Sequence, residues 1–170
     1  RDDKLIKKFG FVIIIKDENK NPFGTFKDRR SELIIKKAKN EQVDTLVLIT
    51  SGNAGHSLGR LSQGTNIRIV NIIDKKLKKS IKNRLKKFSE IIEVDLSEKI
   101  LKPEEVISLA RQHDEDVIMD VTNGFHKGYE EIIKEIKQEN PNFIIVPIGS
   151  GEAFVGLYNG IKKFKEILPW

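Results

Sequence analysis

The chain contains no cysteine. That absence removes disulfides, thiolate metal sites and a cysteine nucleophile together. It also suits a reducing compartment, so a cytoplasmic location is the expectation. No apolar run approaches the roughly 20 residues that cross a bilayer as a helix, and the first residues lack the pattern of a secretory signal. Histidine is sparse: His56, His113 and His126 are scattered, with no pair at metal-ligand spacing. Asp116 and Asp120 read as loop and strand-end residues, so no metal site is expected. There is no GxGxxG with an acidic residue at the usual distance and no GxxxxGK[ST]. Internal repeats and low-complexity linkers are absent too.

What is present is an ordinary globular composition: 170 residues, 38% apolar and 33% charged. Such a length supports one good core or two small lobes sharing an interface. The net charge of +6 is partly local. Residues 74–87 read DKKLKKSIKNRLKK, with Leu77, Ile81, Leu85 and then Phe88 on one helical stripe. Clustered lysines supply a sequence-independent attraction to phosphate. This patch has no interleaved aromatics and no recognition module beside it, so it reads as a solvated helix face and nucleic acid is not the expected partner.

Strand and helix patterns alternate along the chain. Apolar runs at Phe11–Lys16, Thr45–Ile49, Ile67–Ile73, Ile91–Val94, Val117–Val121 and Phe143–Ile148 predict strands, continuous enough to be covered on both faces. Helical patterns fall at 30–40, to about Gln63, on the basic segment, at 103–113, at 128–139 and at about 153–167. Each strand pair leaves room for a crossover helix. The pattern predicts an α/β fold with a mainly parallel open sheet and helices on both faces.

In such a sheet ligands bind beyond the carboxyl ends of the strands, and three loops there carry special residues. The first, residues 21–29, reads NPFGTFKDR and puts Lys27 where a helix starts. Among 31 Lys and Arg, a lone lysine there is ordinarily solvated. A desolvated one can be a neutral amine able to attack a carbonyl. The second, Thr50-Ser51-Gly52-Asn53-Ala54-Gly55, could hold a carboxylate through backbone N–H groups, or could simply cap a helix with Ser51 or Asn53. The third, Gly149-Ser150-Gly151, could wrap a phosphate, or could be a tight strand-to-helix connection.

Taken together, NPFGTFKDR, then SGNAG, then GSG, in this order and spacing, resembles the fold type II (tryptophan synthase β-like) family of pyridoxal phosphate-dependent enzymes, with the look of threonine synthases. The resemblance covers the chain from about Phe11 onward. It implies pyridoxal 5'-phosphate as cofactor, with Lys27 as the Schiff-base lysine that later moves protons at the substrate Cα, and Phe26 near the ring. It implies that Asn53 bonds the ring 3′ oxygen. The run Thr50, Ser51, Gly52, Asn53, Ala54 and Gly55 would hold the substrate carboxylate. Gly149, Ser150 and Gly151, continued by Glu152 and Ala153, would bind the cofactor phosphate. Glu152 departs from the pattern, since a carboxylate beside a phosphate dianion is unfavourable unless it points away.

The resemblance also implies a two-lobed architecture, with a smaller lobe at about 17–127 and parts of a larger lobe at 1–16 and 128–170. Family members run on past the glycine turn through further strands, helices and a partner for the pyridine nitrogen. The C-terminal part is therefore expected to be incomplete, with an exposed sheet edge that invites a second chain or a second copy. The implied activity is that of a lyase or synthase acting on an amino acid by β- or γ-elimination or replacement, threonine synthase-like on a phosphorylated hydroxy amino acid. The alternative is a non-catalytic relative acting as a binding or assembly module. Two other readings are a nucleotide- or phosphate-binding α/β domain and nucleic-acid binding through residues 75–87.

Overall fold

A computed structural model describes residues 10–164. A strand needs a neighbour, and four apolar runs have one: β1 (Thr45–Ile49), β2 (Arg68–Asp74), β3 (Glu90–Val94) and β4 (Ile118–Asp120). They form one parallel sheet in the order β3-β2-β1-β4, with Val47 opposite both Val70 and Asp120 and Ile72 opposite Ile92. Among the described residues six α-helices accompany it: α1 (Asp28–Asn40), α2 (Asn53–Leu61), α3 (Lys79–Leu85), α4 (Pro103–Ala110), α5 (Glu131–Ile136) and α6 (Glu152–Lys163).

Alternation along β1 divides the core between two faces, because successive side chains of a strand point to opposite sides. Leu46 and Leu48 join Ile34, Ile35 and Ala38 of α1 and Leu58 of α2. Val47 joins Val70, Ile72 and, from α4, Val106 and Ala110. Covering on both faces explains why β1 is apolar from Leu46 to Ile49. A third cluster lies beyond the sheet, where Ile132 and Ile133 of α5 meet Tyr129, Leu157 and Phe164.

Two expected strands are not formed among the described residues. Residues 11–16 and 143–148 pair with no strand among the described residues, and several of their apolar side chains face outward, with Phe11 59%, Ile15 63%, Phe143 87% and Ile145 93% exposed, although Ile144 packs against the third cluster. Apolar content prepares a segment for burial, but no strand of the described residues lies beside either one. The sheet therefore has four strands among the described residues rather than six.

Helix ends shift for local reasons. The basic helix is confined to α3, because the Asp74 carboxylate accepts from the Lys76 N–H and Leu77 closes a turn onto Asp74. Its lysines are mostly exposed, as expected of a solvated face. Helix α4 stops at Ala110, since Arg111 turns extended and Asp116 takes the N–H groups of Gln112 and His113. The pattern at 128–139 splits into a 3-10 turn at His126–Tyr129, α5, and a 3-10 turn at Lys137–Glu139. Residues 165–167 of the expected last helix lie outside the described residues.

Candidate active site

The strand order reverses between β1 and β4, and the chain opens a cavity of about 290 Å³ at that switch point, where open α/β sheets bind ligands. All three loops reach it. Phe26 and Lys27, then Thr50, Ser51, Asn53 and Ala54, then Gly149, Ser150, Gly151 and Ala153 line its wall. Of the other expected residues, Gly52, Gly55 and Glu152 are not part of the lining. A larger groove of about 450 Å³ between Val94 and α4 has no convergent loops, and its Lys99 and Glu105 pair with each other at 2.5 Å on the rim.

Lys27 is the residue before α1, and its N–H donates to Thr25 Oγ1 at 3.2 Å while Ser31 Oγ donates back to its carbonyl at 3.0 Å. The side chain is 14% exposed and runs beside two rings, with Nζ 5.0 Å from the Phe26 centroid and 5.9 Å from that of Tyr129. Burial disfavours the charged amine and lowers its pKa. The Glu152 carboxylate opposes that shift, and the Arg30 guanidinium reinforces it. Burial likewise raises the Tyr129 phenol, whose hydroxyl has no hydrogen-bond partner among the described residues.

Glu152 opens α6 but turns its carboxylate away from the glycine turn. It is 6% exposed, and its Oε2 lies 3.2 Å from Lys27 Nζ and 2.9 Å from an Arg30 nitrogen. Its Oε1 accepts the Phe125 N–H at 3.2 Å. Arg30, only 2% exposed, also donates to the carbonyls of Val121 and Thr122. The unfavourable proximity expected of Glu152 is thereby relieved. Arg30 was not foreseen as a site residue, although its position three after Lys27 puts both on one face of α1. Thr122, Asn123 and Phe154 also join the lining, and only the fold brings them there.

The Thr50–Gly55 turn is held from within. Thr50 Oγ1 accepts the N–H groups of Gly52 and Gly55 at 3.0 and 3.4 Å, so those two donors are already engaged. The first-turn N–H groups of Asn53 and Ala54 are ones that a helix leaves without an acceptor of its own. Asn53 Oδ1 accepts from Arg84 at 3.2 Å. Gly55 allows close approach to β2, since a Cβ there would lie 2.1 Å from Asn71 Oδ1. Nearby His56 has its pKa lowered by burial and by Arg84 and Arg60, with Asp28 opposing. Among the described residues no group of His, Cys, Asp and Glu could hold a metal ion.

The Gly149–Gly151 turn is open. Gly151 takes φ +81°, and a Cβ at Gly149 or Gly151 would meet nothing within 4 Å. Helix α6 starts immediately after it, so the turn faces the positive end of the helix dipole. Gly156 seats that helix, because a Cβ there would lie 2.2 Å from the His126 carbonyl oxygen.

Comparison with known proteins places the chain in a family. The family described as "Pyridoxal-phosphate dependent enzyme" matches residues 2–169, and the chain belongs to that family. A threonine synthase of Halalkalibacterium halodurans is 22% identical over 178 residues, covering 96% of this chain and 48% of that protein. A 2-amino-4-ketopentanoate thiolase beta subunit from an unknown prokaryotic organism is 41% identical over 59 residues, which is 35% of this chain and 12% of that protein. The fold is similar to a hydrogen sulfide-producing enzyme of Fusobacterium nucleatum, with TM-score 0.74, 21% identity and coverage of 92% of this chain and 52% of the other. It is also similar to the O-acetylserine dependent cystathionine beta-synthase of Helicobacter pylori, with TM-score 0.70, 23% identity and coverage of 89% and 53%. The chain spans about half the length of the threonine synthase and of these two solved structures.

Proposed function

We propose that this member of the pyridoxal-phosphate dependent enzyme family supplies the cofactor-carrying half of a lyase or synthase acting on an amino acid by β- or γ-elimination or replacement. The observation that carries the reading is a buried amine, Lys27, in a cavity walled by two turns that each precede a helix. The residues fit the cofactor. An amine with lowered pKa can carry it, and the open Gly149–Gly151 turn leaves room where side chains would stand. The bound cofactor supplies an electron sink for the substrate's Cα.

Each residue then has a task. Phe26 and Tyr129 keep water from the Lys27 amine, whose Nζ takes and returns the proton at the substrate Cα. Gly149, Ser150 and Gly151, with Ala153 behind them, offer donors to the phosphate, helped by the dipole of α6. Asn53 addresses the ring oxygen. Ser51, Asn53 and Ala54 offer donors to the substrate carboxylate, while Thr50, Gly52 and Gly55 fix the shape of that turn. Within the class we favour threonine synthase-like action, supported by a relative that matches along 96% of the chain. Residues 17–127 are assigned to the smaller lobe and the described residues 10–16 and 128–164 to the larger one, while 1–9 and 165–170 of that expected lobe lie outside the described residues.

A second reading has its own support. The outward-facing apolar row of residues 143–148 suits a binding or assembly module that joins a second chain or copy. One experiment separates the two: titrate the protein with pyridoxal phosphate, follow the visible band of lysine-bound cofactor, reduce with borohydride and map the label. A band with label on Lys27, lost in Lys27→Ala, is expected of the enzyme half. No band, or label scattered over surface lysines, would sink that reading and leave the module.

A further inference from the structure

We propose that Glu152, held by Arg30, is a positioning residue that fixes where the Lys27 amine sits and sets the pH at which it gives up its proton. The proposal rests on the reading of Lys27 as the reactive amine and assigns the residues that govern it. One carboxylate serves two cations here: Glu152 Oε2 lies 3.2 Å from Lys27 Nζ and 2.9 Å from Arg30. Its other oxygen is fixed by the Phe125 N–H at 3.2 Å. The carboxylate comes from α6 and the two cations from α1 and its N-cap, so the pair bridges the two walls of the cavity.

Each element packed against the amine contributes. Helix α1 presents Arg30, α6 presents Glu152, and the turn at His126–Tyr129 presents the Tyr129 ring, with Phe26 on the near side. With Lys27 protonated, this buried group carries one net positive charge. Loss of the Lys27 proton leaves a neutral Arg30–Glu152 pair. The geometry thus poises the amine: Glu152 holds the ammonium in place, and Arg30 makes its proton the easier one to lose. Removing the Glu152 charge would leave two cations facing each other, which drives Lys27 neutral at still lower pH. Removing the Arg30 charge would leave a simple ion pair, which holds the proton to higher pH.

The test uses the described chain without cofactor, so its failure and that of the proposed function are separable. Lysines are acetylated with limiting acetic anhydride from about pH 6 to about pH 10, bracketing the range below an ordinary lysine pKa, and each site is quantified by mass spectrometry. Exposed Lys36 serves as the internal reference. Glu152→Gln is expected to move the Lys27 midpoint to lower pH, with labelling at a fixed pH below the midpoint rising about tenfold per unit of displacement. Glu152→Asp, which keeps the charge at a shorter reach, is expected to move it the same way by less, and Arg30→Met is expected to move it up. Loosened packing alone would return Lys27 toward the ordinary lysine value, the opposite direction for the Glu152 variants. A Glu152→Gln midpoint that stays or rises overturns the proposal. If that variant does not fold, the Glu152→Asp midpoint decides on the same terms.

Discussion

The runs TLVLI at 45–49 and FIIVPI at 143–148 are almost equally apolar, yet Leu46, Val47 and Leu48 are sealed between parallel neighbours while Phe143, Ile145 and Ile148 face outward. Hydrophobicity is therefore common to both and cannot be what separates them. The difference is pairing: β1 has β2 on one side and β4 on the other, and the later run has no ladder partner among the described residues. A buried strand is a property of a sheet, and a sequence window reports only the demand for one. Substitutions at the two places should differ accordingly.

The largest effect is expected in β1. Leu48→Ala removes a wholly buried side chain from the cluster shared with α1 and α2, and should cost about 2–5 kcal/mol in urea unfolding. A loss below about 1 kcal/mol would show that the sheet core is no better packed than the outer run. Next comes Gly156→Ala, in the helix that follows the outer run. Its Cβ would lie 2.2 Å from the His126 carbonyl and 2.7 Å from the Tyr129 Cβ. Backbone must shift to admit it, at about 1–3 kcal/mol, measured by the same unfolding curves. A neutral result would mean that α6 is not seated on that turn.

The same contrast explains what could be read from the chain. Four strands and the helices around them follow from apolar runs and their spacing, because each run happened to have a partner. The two without a partner among the described residues, 11–16 and 143–148, are as apolar as those that paired, though Pro147 removes one ladder donor from the second. At the site, the 50–55 turn was legible because it leaves the end of β1, and strand ends gather ligand loops in parallel sheets; Lys27 and the glycine turn were legible through the order and spacing of NPFGTFKDR, SGNAG and GSG. Arg30 was not, since its role depends on a carboxylate 122 positions away reaching it across the cavity. Glu152 was visible only as a misfit. Its direction, away from the glycine turn and onto two cations, is a matter of tertiary packing.

The first outer run, 11–16, is tied down by charge at its C-terminal end. Lys16 pairs with Glu18 at 3.1 Å and with Glu135 of α5 at 3.0 Å, and Arg29 bridges the same two carboxylates at 2.6 and 2.7 Å. Hydrogen bonding from Arg29 is the largest influence on Glu135 and lowers its pKa from the ordinary 4.5 to about 2. A carboxylate depressed in the fold contributes stability above its unfolded pKa and loses that contribution as pH falls through its folded one. The clamp should thus hold fully above about pH 5 and fade toward about pH 2. Glu135 is 41% exposed, so solvent screening limits the contribution to about 1 kcal/mol or less. Unfolding free energies of the unmutated chain and Glu135→Gln should converge across that acid window. Curves that stay parallel down to about pH 2 would mean that the clamp adds nothing.

The smallest effect is expected where the sequence looks most like core. Ile145 is 93% exposed, so Ile145→Ser removes little apolar surface from contact with protein and should change unfolding free energy by no more than about 0.5 kcal/mol. The comparison becomes sharper when concentration is varied. If residues 143–148 remain open in solution, the Ile145→Ser and unmutated chains unfold alike at every concentration. If a second chain or copy lies against that run, the unmutated protein gains stability as concentration rises, because whatever binds only the folded state stabilises it by mass action. The serine variant would lose that gain, and the cost of the substitution would grow with concentration toward a core-like value. The same isoleucine would then be surface in one state of association and interior in another, as the pairing argument requires.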